Sequence, residues 1–299
     1  MFLIVCTQVN TCVQTYFFIM KYIYIVILNL VFFAVKAQTF GGNITMKPSA
    51  YKAEVLDEAQ YNITYQYNFL QSANNKNSLD KGFVVLQLGN NFVKFTDFYT
   101  LKNDSLAEVY SHQSSIGTKE LNERLSIFKQ IKIQKNLFTN ITDNKIIFQS
   151  DIIQGYNYEY ETDIPNLQWN IEQETDEILG YNVQKATVTY SGRKWIAWFT
   201  PEIPIQYGPY VFNGLPGLIV KLYDDKSNFT FLINSIDKQA VSIYKRLHDR
   251  TTKVTKQKYI KVEKDFHERP EMYFDNSAVR GADIKSGYKI PYNPIEVND

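Results

Sequence analysis

The sequence predicts a mainly β fold with a minority of helix: a curved antiparallel sheet, open as a half-barrel, with a few helices covering it. Three observations predict it. Aromatic residues make up 15% of the chain, while Gly and Pro number only 13 and 9; this composition suits pleated, half-buried surfaces better than a helical bundle. Tyr61, Ile63, Tyr65, Tyr67 and Phe69 alternate with Asn62, Thr64, Gln66 and Asn68, the period of two of a half-buried strand. Finally, Tyr181–Tyr190, Ser191-Gly192 and Arg193–Thr200 read as a strand, a two-residue turn and its partner strand.

The first forty residues are set aside from the fold. Lys21 precedes an apolar run, Tyr22–Val35, broken only by Asn29, and Val35-Lys36-Ala37 follows. A charged start, an apolar stretch and a small-residue cleavage site form a secretory signal, cleaved after Ala37. The run is shorter than the roughly 20 residues that span a bilayer, so residues 1–37 are expected to be removed, leaving no stable transmembrane segment. Met20-Lys21 would be an ordinary signal start, which leaves Met1 or Met20 as the true initiation site. The only cysteines, Cys6 and Cys12, precede it, so the mature chain is expected to lack disulfides, thiolate metal sites and thiol nucleophiles.

Residues 38–274 read as a single β-rich domain. After the strand at 61–69 comes the polar loop Gln71–Lys81, then a hairpin of Gly82–Leu88 and Asn91–Tyr99 through Gly89-Asn90. Across 104–130, Leu106, Val109, Tyr110, Leu121, Leu125 and Phe128 recur at helical spacing, with Asp104 or Ser105 as a cap and Gly117 dividing two helices. Ile131–Ile153 returns to β-rich composition, with turns near Asn136 and Thr142-Asp143-Asn144. A second hairpin joins Leu218–Tyr223 to Phe229–Ile236 across Asp224–Asn228. Val254, Tyr259, Val262 and Phe266 share one face of a charged helix around 255–268, stopped by Pro270, whose charges read as a solvated face. The tail 275–299 reads as poorly ordered.

The densest cluster of unusual residues is 193–219, RKWIAWFTPEIPIQYGPYVFNGLPGLI. On its strand Arg193, Trp195, Ala197 and Phe199 share one face, and Lys194, Ile196, Trp198 and Thr200 the other. The two tryptophans therefore point in opposite directions. Arg193 can stack on Trp195 with Glu202 as counter-charge, or hold an anionic ligand. Leu215-Pro216-Gly217-Leu218, preceded by Gly214, has the residues of a type II turn, with proline at the second position and glycine at the third. Those glycines either bring two layers together or admit a ligand. Arg193, Trp195, Trp198, Glu202, Tyr210 and Phe212 are the candidate ligand-binding residues, and Gly214, Leu215, Pro216 and Gly217 a structural corner.

This stretch resembles the GLPGLI family, secreted proteins typical of Bacteroidetes whose function is uncharacterised. The resemblance extends over roughly 165–236, with GYNVQKATVTYSGRKWIAWFTPEIP following the family pattern closely. Two departures matter. Val183 stands where many relatives carry cysteine, and Asn213 where some carry histidine, so a thiol or metal role imagined for the family does not transfer. What the resemblance implies is export to the periplasm or outer-membrane surface, or secretion beyond it.

No catalytic constellation stands out. There is no nucleophile elbow, phosphate-cradling loop or paired-histidine metal motif, and His112, His248 and His267 are far apart in sequence. Asp224 and Asp225 read as a hairpin turn more simply than as metal ligands, so no metal or cofactor is expected. With 32 basic and 31 acidic side chains the formal charge is +1, unlike a nucleic-acid binder's basic stripe. Three readings follow. The first is a non-enzymatic envelope binding or carrier protein, in which an aromatic-lined half-barrel holds an apolar ligand. The order of strands, helices and a long meander looks like that of outer-membrane lipoprotein carriers. The second is an accessory partner of an outer-membrane protein, such as a TonB-dependent receptor, docking through an exposed patch at Trp198 and Tyr210. The third is a hydrolase built on a carboxylate pair.

Overall fold

The computed structural model describes residues 41–73, 75–153, 156–273 and 287–297, without the side chains of 151–156. Residues 1–37, expected to be a signal, and residues 274–286 lie outside them. The chain opens with β1 (Thr45–Met46), β2 (Ala53–Ala59) and β3 (Tyr61–Leu70), then β4 (Leu79–Leu88) and β5 (Phe92–Asp97). Helix α1 (Phe98–Ser111), β6 (Ile116–Gly117) and helix α2 (Thr118–Phe128) follow. A run of strands comes next: β7 (Lys135–Asn140), β8 (Lys145–Ile153), β9 (Tyr156–Asp163), β10 (Asn170–Ile178), β11 (Tyr181–Tyr190) and β12 (Arg193–Thr200). Loop 201–217 leads to β13 (Leu218–Asp224) and β14 (Phe229–Asp237), then β15 (Val241–Arg246), β16 (Thr251–Lys253) and helix α3 (Lys256–Glu268). Strands take up 46% of the described residues, so the fold is mainly β, as the composition predicts.

Twelve strands form one sheet in the order β10-β11-β12-β13-β14-β3-β4-β5-β7-β8-β9-β16. Neighbours are antiparallel except β16, which runs parallel to β9. The sheet does not close into a barrel, yet it curls strongly. β12 and β8 stand seven strand spacings apart, about 34 Å in a flat sheet at about 4.8 Å per strand. Phe148 of β8 nevertheless lies 6.1 Å from the Tyr210 ring, while Trp195 of β12 lies 4.7 Å from Phe212, two residues further on. Only a sheet wrapped around loop 201–217 brings both strands to it.

That loop fills the concave side. Tyr210, Val211, Phe212 and Leu215 are buried among Tyr65, Phe95, Phe148, Trp195 and Phe231 in one continuous core. The alternation read in β3 carries through, with Ile63, Tyr65 and Tyr67 buried at 0, 0 and 3% exposure. Central strands are covered on their other face too. The ribbon of β2 and β15 lies over β5, where Lys94, 2% exposed, donates to the Tyr244 carbonyl at 3.0 Å and sits 3.7 Å over the Tyr244 ring. Burial pulls the Lys94 ammonium down to about 8.

Several boundaries differ from the sequence reading, each for a local reason. Helix α1 begins at Phe98 and not near 104, because Asp97 is its cap: its carboxylate accepts from Tyr99 N at 2.8 Å. The other carboxylate oxygen accepts from Lys132 N and Ile133 N, tying the helix start to the approach to β7. Asp104, read as a cap, is buried inside α1 and paired with Arg246 at 2.7 Å. Gly117 does divide the two helices, with Glu120 accepting from its amide at 2.9 Å. Asn136 lies inside β7 and is not a turn. The hairpin of β11 and β12 falls on the predicted residues, with Ser191 and Gly192 at φ 44° and 78°. Among the described residues no helix is long and apolar enough to cross a membrane.

Candidate functional site

Strand β12 is buried except at Lys194. Trp195 is fully enclosed against Phe212 and Phe229, its indole N–H buried without a partner. Trp198 points the other way, as the pleat requires, but is also buried, at 7%, with Lys185 6.0 Å from its ring. Tyr210 is equally enclosed, at 6%. The exposed aromatic patch expected at Trp198 and Tyr210 is therefore not on the surface.

Arg193 neither stacks on Trp195 nor faces Glu202. Its guanidinium lies 4.8 Å over the Phe229 ring and pairs with Asp224 at 3.3 Å. Glu202 instead accepts from the backbone and side-chain amides of Asn182. Asp224 serves the hairpin as expected: it accepts from Asn228 Nδ2 at 2.7 Å and Phe229 N at 2.8 Å. The remaining guanidinium donors reach the C-terminal segment, at Ile295 O (3.0 Å), Pro294 O (2.7 Å) and Asn293 Oδ1 (2.7 Å).

Residues 287–297, read as a poorly ordered tail, thus form a strap across the sheet. Glu296 anchors it, accepting from the hydroxyls of Tyr190 and Tyr210 at 2.8 Å each and pairing with Lys256 at 2.9 Å. Burial alone would raise this carboxyl, but Lys256 and the two hydroxyls outweigh it and hold it below the ordinary carboxylate range. Asn293 Nδ2 donates to Leu70 O, Val297 N to Ser191 O and Ile290 N to His267 O. Arg193 and Tyr210, two of the predicted ligand-binding residues, are occupied by the chain's own C-terminal segment. Scattered prolines there suggested disorder, but Pro291 and Pro294 leave carbonyls for His267 and Arg193 to use.

The Gly-Leu-Pro-Gly corner also differs from its expected form. The positive φ falls at Gly214, at 90°, and at Tyr210, at 62°, and not at Gly217. Gly217 is required for another reason: a Cβ there would lie 2.1 Å from the Thr200 carbonyl oxygen. Backbone approaches backbone, as the layer-contact reading of these glycines expects, with no room between them. Leu215 is buried at 1%, and Trp169 Nε1 donates to Asn213 O at 2.8 Å, clamping the loop from outside.

Open space lies on the other side of the strap. A cavity of about 470 Å³ is bounded by the ends of β3 and β4, the segment leading into β7, helix α3 and strap residues 290–295. Lys135 and Glu263 meet there at 2.8 Å. Glu263 also accepts from Tyr259 Oη at 3.1 Å and Tyr292 Oη at 3.3 Å, so both its oxygens are engaged. Burial alone would lower the Lys135 ammonium, but the adjacent Glu263 charge outweighs it and lifts it above its ordinary value. Lys132 pairs with Asp80 at 2.9 Å on the same lining. His267 Nδ1 lies 2.9 Å from Pro291 O, and burial pushes its imidazole below its ordinary value. The Tyr67 hydroxyl, on a side chain 3% exposed, has no hydrogen-bond partner. Burial pushes it well above its ordinary value, against the pull of Lys135.

None of these cavity residues was singled out from sequence as a site. One signal was present: Glu263, Phe266 and His267 lie three and four residues apart on α3, a single face. The charged helix was read as solvated, yet Tyr259 is buried and Glu263 nearly so. Among the described residues no group of three or more His, Cys, Asp or Glu is placed to hold a metal ion.

A family model described as "Protein of unknown function (Porph_ging)" matches residues 189–221, a segment spanning β12, loop 201–217 and the start of β13. It overlaps 193–219, part of the stretch that resembles the GLPGLI family, and does not by itself establish that family. No curated protein matches the chain. Two solved structures of PNGF-II, in different crystal forms, are similar to it at 15% and 16% identity, each with a TM-score of 0.44. They cover 69% and 70% of this chain, which spans only 33% of theirs.

Proposed function

We propose that the chain is an exported, non-enzymatic binding protein of the cell envelope, of the GLPGLI type, that holds a small ligand between α3 and the C-terminal strap. The observation that carries this reading is the cavity. Its volume, about 470 Å³, falls within the roughly 300–1,000 Å³ of small-molecule sites. The concave face, first expected to hold the ligand, is filled by loop 201–217, so the site moves to the end of the sheet. The accessory-partner reading has lost its surface with the burial of Trp198 and Tyr210. A hydrolase reading finds no support in Glu263, whose oxygens are held by three donors.

Native mass spectrometry of the protein recovered from envelopes of cells expressing the full chain tests the reading. A stoichiometric small-molecule adduct on a chain beginning at Gln38 is the expected result. A mass retaining residues 1–37 removes export from the reading. A bare mass, with no small molecule displaced from the protein by organic extraction, removes the ligand.

A further inference from the structure

The cavity's polar groups specify more than its volume does. Every charge in its lining is already matched: Lys132 by Asp80 and Lys135 by Glu263. The strap behind it is matched as well, with Glu296 paired to Lys256 and Arg193 to Asp224. An added anion or cation would lose its hydration without gaining an uncompensated partner. The occupant that fits is uncharged.

Its hydrogen-bonding sense is also biased. Several acceptors around the cavity are in use: Leu70 O by Asn293, Gln134 O by Ser150, and Pro294 O and Ile295 O by Arg193. Asp80 accepts from Lys132, Gln71 and Lys81 N. Donors are left over. The Lys135 ammonium carries three N–H groups and has Glu263 as its one polar partner, and the Tyr67 hydroxyl has none. Each lines the same cavity. The Tyr67 hydroxyl bonds no protein group and faces the cavity, so an occupant that brings an acceptor gains a hydrogen bond there. Phe69, Leu70, Phe229, Phe266, Ile290 and Ile295 give the lining an apolar part, beside the polar Gln71, Gln134, Ser150 and Asn293.

We infer that the site binds a neutral acyl ester, whose carbonyl oxygen accepts from Tyr67 and Lys135 while its hydrocarbon chain lies on the phenylalanine side of the cavity. An ester carries acceptors and no donor. A peptide or a carboxamide brings N–H groups, and the Leu70, Gln134, Pro294 and Ile295 carbonyls and the Asp80 carboxylate already accept from the protein. This assignment rests on the binding role proposed above and names its ligand class.

Four ten-carbon probes with different heads test it by calorimetric titration of the full chain: ethyl decanoate, decanoate, decylamine and decanamide. The ester is expected to bind at least tenfold more tightly than the other three. Tyr67→Phe is expected to weaken ester binding about tenfold while leaving the thermal transition unlowered, since its hydroxyl bonds nothing in the protein. Lys135→Gln should weaken binding further, but it strands Glu263, so Tyr67→Phe carries the decision. Decanoate or decanamide binding as tightly as the ester overturns the class, as does an unchanged ester affinity in Tyr67→Phe. If all four fail to bind while the envelope-purified protein carries an adduct, the class falls and the binding role stands. If the adduct is absent too, both fall.

Discussion

On the side facing β12, the C-terminal strap gives three oxygens to Arg193 and a carboxylate to Tyr190, Tyr210 and Lys256. On the side facing α3 the same strap borders a cavity onto which a tyrosine hydroxyl opens without bonding any protein group. The chemistry of the two sides is alike: tyrosines, a lysine or arginine, and a glutamate, all withdrawn from water. What differs is satisfaction. A closed polar cluster contributes to stability and specifies one arrangement, whereas an incomplete one costs stability unless a ligand completes it. The residues most conspicuous in the sequence belong to the closed side, and a feature can be conspicuous because it is structural.

The comparison breaks most visibly at Arg193. Arg193→Met leaves Asp224 buried without its cation and strap oxygens without donors. Removing one partner of a buried pair costs about 3–5 kcal/mol, readable as a lower midpoint in urea denaturation. A loss below about 1 kcal/mol would show that the strap is not pinned as described. Gly217→Ala comes next. Its new methyl would meet the Thr200 carbonyl at 2.1 Å, and since neither backbone can yield cheaply the expected cost is about 1–3 kcal/mol. A Gly217→Ala variant as stable as the parent would mean that the corner is looser than this contact implies.

Glu296 sharpens the same comparison through pH. Its carboxyl is held below the ordinary range in the folded protein, so the stability it contributes is present above the unfolded value, about 4.3. That contribution is lost as pH falls through the lower folded value. Glu296→Gln should cost about 2 kcal/mol at pH 7, and the difference from the parent should shrink as the solution is acidified below about pH 4. A difference that stays constant down to pH 2 would assign the loss to packing and not to charge.

Why the sheet was legible and the cavity was not has a physical answer. The hairpin at 181–200 announces itself through alternation and a Ser-Gly turn, both local properties of the chain. The strap partners of Arg193 are about a hundred residues away in a proline-bearing segment with no period of its own, so nothing local could distinguish it from a free tail. Gly217 was recognisable as special: the close approach expected of the corner's glycines holds, but the positive φ expected at its turn position falls at Gly214, because composition cannot separate the two. The cavity joins Tyr67, Lys135, Glu263 and a strap residue such as Tyr292, four separate stretches. Only the α3 face, with Glu263 and His267 four residues apart, left a trace in sequence. A tyrosine that lacks a partner reads the same as one that has it.

The smallest effect is the most discriminating, because it sets those two tyrosines side by side. Tyr67 and Tyr210 are comparably buried, at 3% and 6%, and both pack against aromatic neighbours, Phe69 and Phe231 for Tyr67 and Phe95 and Phe148 for Tyr210. Replacing either with phenylalanine keeps the ring and removes one oxygen. Tyr210→Phe takes a charge-assisted hydrogen bond from Glu296 and should cost about 1.5–3 kcal/mol. Tyr67→Phe takes no hydrogen bond from the protein, because the hydroxyl faces the cavity, so its stability should be unchanged or higher by up to about 1 kcal/mol. Parallel urea titrations of the two variants against the parent decide the matter by sign. If Tyr67→Phe were destabilised as much as Tyr210→Phe, its hydroxyl would have a partner in the protein after all, and the cavity would lose the incomplete polar group that marks it as a site.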